Sequence, residues 1–300
     1  MSILVVGSVA LDTVETPFGK RERALGGSAT FFSVSASFFA PVNLVAVVGK
    51  DFPKEHIEFL KSRKINTKGL KVLDGKTFHW VGSYKYDMNE AITHSTCLNV
   101  FEQFKPEIPK EYRNKGYLFL ANIDPELQML VLNQMENPKL VACDTMNFWI
   151  QGKKDALIAL LKKVNIVVLN EAEARQLTQQ LNLVKAAKMI MAWGPSNVVI
   201  KKGEHGALLF GREGIFSAPG FPMEDITDPT GAGDTFAGGF IGHLAREKKT
   251  DWKTLRQAVI YGSVMASFNV EDFSLDRMRT LTDKEIAYRY RQFVTLACFE

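Results

Sequence analysis

Short apolar runs rich in valine, isoleucine and leucine alternate along the chain with stretches of helical periodicity. The apolar runs predict strands at residues 3–6, 44–48, 117–121, 140–143, 166–169 and 198–201. Amphipathic patterns predict helices at residues 55–63, 125–135, 155–164, 171–180, 253–269 and 283–293. This alternation favours an α/β protein with a mostly parallel sheet, and the continuous apolar strands fit a sheet covered on both faces.

Two segments depart from this rhythm. Residues 9–16 and 77–88 alternate apolar and polar positions, which is typical of half-exposed antiparallel strands. We therefore expect a small second sheet apart from the main one. The aromatic side chains of the later segment alternate as Phe78, Trp80, Tyr84 and Tyr86. That pattern leaves two interpretations open, packing within the small sheet and stacking on a nucleobase.

Composition sets the broad class of protein. The 300 residues include 37 basic and 33 acidic side chains, for a formal net charge of +4, and the two signs are interspersed, so there is no positive case for nucleic acid binding. Three widely spaced cysteines argue against a disulfide framework or a zinc site and fit a reducing compartment. The N-terminus lacks a basic region and no stretch approaches 18 apolar residues. We expect a cytoplasmic protein, with residues 1–300 forming a single domain and no membrane contact.

The most informative segment is residues 228–240, DPTGAGDTFAGGF. Its small residues let a ligand approach the backbone closely, and the predicted helix that follows places N–H groups toward an anion. Asp234 would repel a phosphate there unless it accepts the proton of an attacking hydroxyl. The alternative is a glycine turn capped by an acid. The chain has no P-loop, no dinucleotide fingerprint and no protein-kinase motif set.

This string resembles the C-terminal signature of the ribokinase-like, or PfkB, carbohydrate kinase family. The resemblance implies that Asp234 is the general base and that the backbone of Gly231, Ala232 and Gly233 is the anion hole. It implies in-line phosphoryl transfer from ATP, with Mg²⁺, to a hydroxyl of a sugar or sugar-containing molecule. It also implies a ribokinase-like three-layer α/β/α sandwich, with a β-lid from about residues 9–24 and 74–98.

A second glycine pair precedes a long stretch of small and apolar residues. By itself the segment 26–30 reads as the start of a helix capped by Ser28 or Thr30. It also resembles the N-terminal signature of the family, which implies that Gly26 and Gly27 contact the acceptor. Phe31 stands where the family usually has a substrate-binding asparagine. An aromatic ring there favours an acceptor that carries an apolar group.

Asp12 follows the first predicted strand. Taken alone it reads either as an ordinary turn acid or as a carboxylate that accepts hydrogen bonds from a vicinal diol. The family places a substrate-binding aspartate at this position, so the resemblance implies the second role.

Several polar residues follow the predicted strands. Asn170 and Glu173 have the spacing of a capping box, and they also match the Asn-x-x-Glu motif of the family, whose glutamate organises magnesium and phosphate through water. Asp144 ends another strand at the edge where open α/β sheets bind ligands, and we expect it to support the metal. Lys201, Gly203 and Gly206 form either a basic hairpin turn or the nucleotide loop of the family. We also expect Thr230 to contact the nucleotide.

Taken together, these patterns predict an ATP-dependent kinase, and three further points remain open. The acceptor is a free sugar or, as the alternative, a nucleoside of the adenosine or cytidine type. A non-catalytic ligand-binding relative is the rival from another class, although the intact motifs argue against it. The apolar alternation of residues 78–86 predicts a homodimer in which the lids of two subunits pack together.

Overall fold

The computed structural model describes residues 1–114 and 116–298. The strands in this part of the chain are β1 (Ile3–Val6), β2 (Ala10–Thr16), β3 (Gly19–Gly26), β4 (Val42–Gly49), β5 (Ile65–Leu73), β6 (Phe78–Tyr84), β7 (Ala91–Cys97), β8 (Tyr117–Leu120), β9 (Leu140–Asp144), β10 (Ile166–Asn170), β11 (Asn197–Lys201), β12 (Ala207–Gly211) and β13 (Gly214–Ala218). The helices are α1 (Ser28–Ser37), α2 (Lys54–Ser62), α3 (Lys110–Arg113), α4 (Pro125–Leu132), α5 (Asn147–Gly152), α6 (Lys154–Leu161), α7 (Glu171–Thr178), α8 (Leu183–Trp193), α9 (Ala232–Glu247), α10 (Trp252–Asn269), α11 (Asp276–Thr280) and α12 (Asp283–Ala297).

The central sheet is mostly parallel, as predicted. Its order is β13-β12-β11-β10-β9-β8-β1-β4-β5. Every neighbouring pair from β11 to β5 is parallel, whereas β12 and β13 form an antiparallel hairpin at one edge. Because all these parallel strands point the same way, their carboxyl ends lie along one edge, where an α/β fold binds its ligands.

Helices cover both faces of this sheet. Successive residues of β1 alternate between two cores: Ile3 and Val5 belong to one, and Leu4 and Val6 to the other. The first core contains the buried sides of α1, α9 and α10, including Phe32, which stacks on a ring of β8 at 4.0 Å. The second contains those of α6, α7 and α8. These layers make an α/β/α sandwich.

A second sheet of four strands has the order β3-β2-β6-β7. Two hairpins, β2–β3 and β6–β7, are antiparallel, but they join through a parallel pairing of β2 with β6. The expectation of antiparallel pairing was therefore wrong at the centre of this sheet. Each of these two strands follows a strand of the parallel sheet, β1 and β5, so both leave it in the same direction. Strand β2 is almost wholly buried, while β7 is exposed along its length.

Some elements had no sequence prediction. Strand β5 carries three polar or charged residues among its first four, and the β12–β13 hairpin and helix α8 were also missed. Among residues 1–114 and 116–298, no helix is both long enough and apolar enough to cross a membrane.

Candidate active site

The glycine-rich turn forms the N-terminus of α9. The helix begins at Ala232, and its N-cap Gly231 has a φ of 75°, in the left-handed region that favours glycine. A β-carbon at Gly231 would also lie 2.3 Å from the ring of Phe31. The first turn of a helix leaves backbone N–H groups without intrahelical partners, and here that turn carries Gly233 and Asp234. The arrangement is suited to binding an anion.

Two buried residues that were given no role from the sequence hold this turn in place. Asp228 accepts hydrogen bonds from the backbone N–H of Thr230 at 2.9 Å and of Ser274 at 3.0 Å. Asn269, at the end of α10, donates to the carbonyl of Thr230 and accepts from the hydroxyl of Thr235, both at 2.9 Å. Both side chains are fully buried, and burial raises the pKa of Asp228. An aspartate before Pro-Thr is a recognisable turn former, so the sequence did contain a signal for Asp228.

The carboxyl edge of the sheet brings three acids around one lysine. Asp144 and Lys201 end β9 and β11, with Lys201 Nζ 3.3 Å from Asp144 Oδ2. The same ammonium lies against the α-carbon of Gly233, because a β-carbon there would be 2.9 Å from Nζ. Although burial opposes its charge, the carboxylates of Asp144, Glu173 and Asp234 raise the pKa of Lys201. The lysine is therefore charged and faces the anion site.

Asp234 lies in the same group and is partly buried. Burial raises its pKa to about 7, and the nearby carboxylate of Asp144 raises it further than the ammonium of Lys201 lowers it. A carboxyl with this pKa is balanced between its two protonation states at neutral pH, which is the property of an effective general base.

Asn170 and Glu173 form the predicted capping box. The Asn170 backbone N–H donates to Glu173 Oε2 at 2.7 Å, and the Glu173 N–H donates to Asn170 Oδ1 at 2.8 Å. One oxygen of the glutamate is thereby fixed at the start of α7. Burial is the main cause that raises the pKa of Glu173 to about 7.

Asp12 lies on the other side of the site. Its carboxylate accepts the N–H of Gly27 at 3.3 Å, and burial raises its pKa to about 7. Both glycines are required by close packing. A β-carbon at Gly26 would overlap Asp12 Oδ2 at 1.9 Å, and one at Gly27, where φ is 92°, would meet the carbonyl of Ser8 at 2.6 Å. The glycine pair thus positions Asp12.

Phe31 does not offer an open aromatic surface. Its side chain is 2% exposed, it belongs to the core with α9 and α10, and its ring packs on Gly231. This placement corrects the expectation that Phe31 would present its ring to the acceptor. The phenylalanine ring therefore packs against the anion-binding turn at Gly231 and supports it.

The nucleotide-loop glycines fall in the turn between β11 and β12. Gly203 and Gly206 both have positive φ, of 56° and 85°. A β-carbon at Gly206 would overlap the carbonyl of Ala218 at 2.1 Å, so this glycine has a packing role. Gly203 has more space around it, because a β-carbon there would lie 3.7 Å from Asn89 Oδ1.

The small sheet reaches over the site. Tyr84 on β6 places its hydroxyl 3.4 Å from Thr230 Oγ1, and burial raises the pKa of Tyr84 to about 12. Thr230, predicted to contact nucleotide, is therefore also a contact of the small sheet. The ion pair of Arg23 with Asp51 at 2.8 Å attaches the same sheet to the loop after β4. No pattern in the sequence indicated that Tyr84 would reach the glycine turn.

The cluster of Asp144, Glu173, Asp234 and Lys201 has more carboxylates than ammonium groups, so it would accept a cation. Oxygen donors of this kind suit Mg²⁺, which usually keeps several waters and shares phosphate oxygens. Across residues 1–114 and 116–298, no set of three or more histidine, cysteine or acidic side chains is arranged to hold a metal by itself. The donor set fits a magnesium ion completed by phosphate and water.

Known proteins resemble this chain in sequence. The profile described as pfkB family carbohydrate kinase matches residues 2–280. A cytidine kinase from Thermococcus kodakarensis is 33% identical over 253 residues, which cover 82% of this chain and 89% of that protein.

Solved structures share the fold. The nucleoside kinase of Burkholderia thailandensis in complex with inosine aligns with a TM-score of 0.78 and 18% identity, covering 97% of this chain and 96% of that one. The ribokinase of Thermotoga maritima aligns with a TM-score of 0.75 and 21% identity, covering 98% and 99%. The α/β/α sandwich is therefore the ribokinase fold, as the motifs implied.

Proposed function

The chain belongs to the pfkB family of carbohydrate kinases, and from this premise we propose that its acceptor is a nucleoside, phosphorylated by ATP on a hydroxyl of the ribose. The observation that carries the proposal is the 33% identity with a cytidine kinase over 82% of this chain. The family already makes the chain an ATP-dependent kinase of a sugar or sugar-containing molecule. The choice of a nucleoside within that class is our inference.

Asp12 is the proposed anchor of the ribose. A carboxylate can accept hydrogen bonds from two adjacent hydroxyls, and the buried Asp12 carboxylate accepts a hydrogen bond from the backbone N–H of Gly27. A bound diol would donate the hydrogen bonds that the buried carboxylate otherwise lacks. Gly26 and Gly27 let Asp12 take this position, because a β-carbon at Gly26 would occupy the place of Asp12 Oδ2, and we assign the backbone of both glycines to the border of the sugar site.

Asp234 is the proposed general base. Its carboxylate removes the proton from the attacking hydroxyl as that oxygen forms a bond to the γ-phosphorus of ATP, and the bond to the bridging oxygen of ADP breaks. The N-terminal turn of α9, with Gly231, Ala232 and Gly233, stabilises the negative charge on the transferred phosphoryl group. Asp228 and Asn269 keep this turn rigid, so it does not need to rearrange during the reaction.

For the nucleotide, we assign Lys201 to binding the phosphates of ATP. We expect Gly203 and Thr230 to line the phosphate site. Asn170 orients Glu173 through the capping box, and Glu173 with Asp144 would hold Mg²⁺ through water. When bound, the metal neutralises phosphate charge. Lys201 now pairs with Asp144, and it would exchange part of that contact for phosphate.

The proposal includes a homodimer that forms through the small sheet, which would act as a lid, in the cytoplasm where ATP is available. Exposed apolar side chains support the dimer; they include Phe18 in the β2–β3 turn, at 63% exposure, and Ile92 on β7, at 39%. Light scattering should give twice the 33.6 kDa chain mass, and Ile92→Asp should reduce it to the monomer. A wild-type monomer at micromolar concentration would contradict the dimer.

The test of the nucleoside assignment is a substrate panel. Cytidine, uridine, adenosine, inosine, ribose and fructose are each assayed for ADP release with ATP and Mg²⁺, with Asp234→Asn as the blank. At least one nucleoside should exceed both free sugars in kcat/KM by tenfold or more, on the order expected for one additional recognised group. A clear preference for a free sugar would refute the nucleoside assignment and leave the kinase class intact.

A further inference from the structure

One aromatic side chain of the small sheet shares a face with the residues of the site. Along β6, side chains alternate between the two faces, so Trp80, Gly82 and Tyr84 point the same way. Tyr84 reaches Thr230 at the glycine turn, which identifies this face as the one toward the site. The parallel register pairs Trp80 directly with Asp12 of β2. Neighbouring strands lie about 4.8 Å apart, so the backbones at Trp80 and Asp12 are adjacent, and their side chains project from the same face of the sheet.

The indole is fixed in this position by two contacts. Its Nε1–H donates to the hydroxyl of Thr93 on β7 at 3.1 Å. Its six-membered ring covers the α-carbon of Gly82, since a β-carbon there would lie 2.2 Å from the ring. The absence of a side chain at Gly82 therefore creates the space that the indole occupies. Trp80 is also only partly buried, unlike Phe31 in the core.

We propose that Trp80 is the base-recognition residue of this kinase, and that its indole stacks on the nucleobase of a nucleoside whose ribose is held by Asp12. The proposal rests on the proposed nucleoside function and adds the side chain that recognises the base. Aromatic stacking accepts any base, because every base has a π face, so Trp80 selects nucleosides over free sugars more than it selects one base.

The experiment measures nucleoside kinetics for Trp80→Leu, which removes the aromatic ring. KM for the best nucleoside should rise about 10- to 100-fold, the change expected for loss of one base–aromatic stack. The saturated kcat should fall less than KM rises, because the indole contacts the base and not the reacting atoms. Trp80→Phe should recover most of the affinity. A matched control is Val81→Ala, the next residue on β6, whose side chain points to the opposite face.

A second variant and a spectroscopic measurement distinguish loss of the stacking contact from misfolding. Gly82→Ala retains the indole but forces it off its position, so it too should raise KM for the nucleoside. Nucleoside binding without ATP should quench tryptophan fluorescence in wild type and Val81→Ala, and the quenching should be absent in Trp80→Phe, although three other tryptophans remain.

The outcomes separate the two proposals. If wild type phosphorylates a nucleoside but Trp80→Leu and Gly82→Ala keep KM within threefold of wild type, the base-recognition role is wrong and the nucleoside function stands. If quenching persists in Trp80→Phe, the indole is not the surface that the base contacts. If wild type phosphorylates no nucleoside at all, the proposed function fails and the role of Trp80 fails with it.

Discussion

The central sheet and the small sheet supply different kinds of residue to one site. The carboxyl edge of the central sheet contributes charged groups that are largely buried, such as Asp144 and Lys201, whose side chains are 5% and 16% exposed. The small sheet contributes mainly aromatic and hydroxyl side chains that are half-buried or exposed, such as Trp80 and Thr93. Asp12 is the exception, because it belongs to the small sheet but is buried where the two sheets meet.

The difference follows from how each region is covered. The central sheet has helices on both faces, so a charge at its edge loses most of its water, and its pKa moves. The small sheet is less covered, since β7 is exposed throughout. We infer a division of labour in which the rigid, dry edge carries out phosphoryl transfer, while the small sheet recognises the acceptor and closes over it.

The largest effect is expected at the buried edge. Asp234→Asn should lower kcat by about 10²–10⁴-fold, since it removes the general base. The folded protein raises the pKa of this carboxyl to about 7, so at pH 8 its ionised form destabilises the fold. The variant should therefore be more stable than wild type at pH 8, by roughly 1–4 kcal/mol. Thermal unfolding and steady-state kinetics together test both statements.

Retention of more than a tenth of the wild-type kcat would refute the role of Asp234. Lower thermal stability than wild type would instead show that the carboxylate is stabilised by its surroundings, contrary to its raised pKa. The same measurement on Glu171→Gln, a partly exposed acid at the start of α7 that pairs with Arg175, is the control.

The next effect tests the point where the two sheets meet. Asp12→Ala should weaken acceptor binding by about 1.5–3 kcal/mol, the range for hydrogen bonds to a charged group, and leave the affinity for ATP unchanged. Gly26→Ala should have a similar effect, because its β-carbon occupies the position of Asp12 Oδ2. Glu15→Ala is the matched control, as an exposed carboxylate on the same strand. Isothermal titration with each ligand would show whether the two affinities fall together, which would indicate a structural defect.

A pH profile examines the buried edge without a mutation. Protonated Asp234 cannot accept a proton, so kcat/KM should rise with pH, reach half of its plateau at about pH 7, and fall about fivefold from pH 7 to 6. Stability should change in the opposite sense. Between about pH 4 and 7 the folded state keeps protons on Asp12, Glu173 and Asp234 that the unfolded chain has released, so the free energy of unfolding falls as pH rises. A profile flat from pH 5.5 to 8 would contradict the raised pKa values.

The same contrast explains what could be predicted from the sequence. Strands of the central sheet are buried on both faces, so their apolar runs are continuous and were found to within about two residues at each end. The residues DPTGAGD and the Asn170–Glu173 capping box are local patterns, so a single sequence shows them without knowledge of the fold. The edge strand β5 was missed because most of its exposed positions are polar.

What was missed depends on partners distant along the chain. Asn269 contacts Thr230 and Thr235, which lie 39 and 34 residues away, and nothing in the local sequence marks it. Alternation in β2 and β6 indicated two half-exposed strands but could not give their relative direction, which depends on how they leave the central sheet. Phe31 was interpreted from its position in a motif, whereas its ring direction follows from the space above Gly231.

The smallest expected effect concerns the contact between the two regions. Tyr84→Phe removes the hydroxyl that lies 3.4 Å from Thr230 Oγ1, a long hydrogen bond between neutral groups, so the loss should be about 0.5–1.5 kcal/mol. If this contact holds the small sheet closed during transfer, KM for the acceptor should rise by about two- to tenfold, and ATP hydrolysis without acceptor should increase because water enters more easily. Tyr86→Phe is the matched control, since that side chain is 90% exposed. Equal behaviour of the two variants would mean that the hydroxyl of Tyr84 does not link the small sheet to the glycine turn, and that the ion pair of Arg23 with Asp51 is the better candidate for closure.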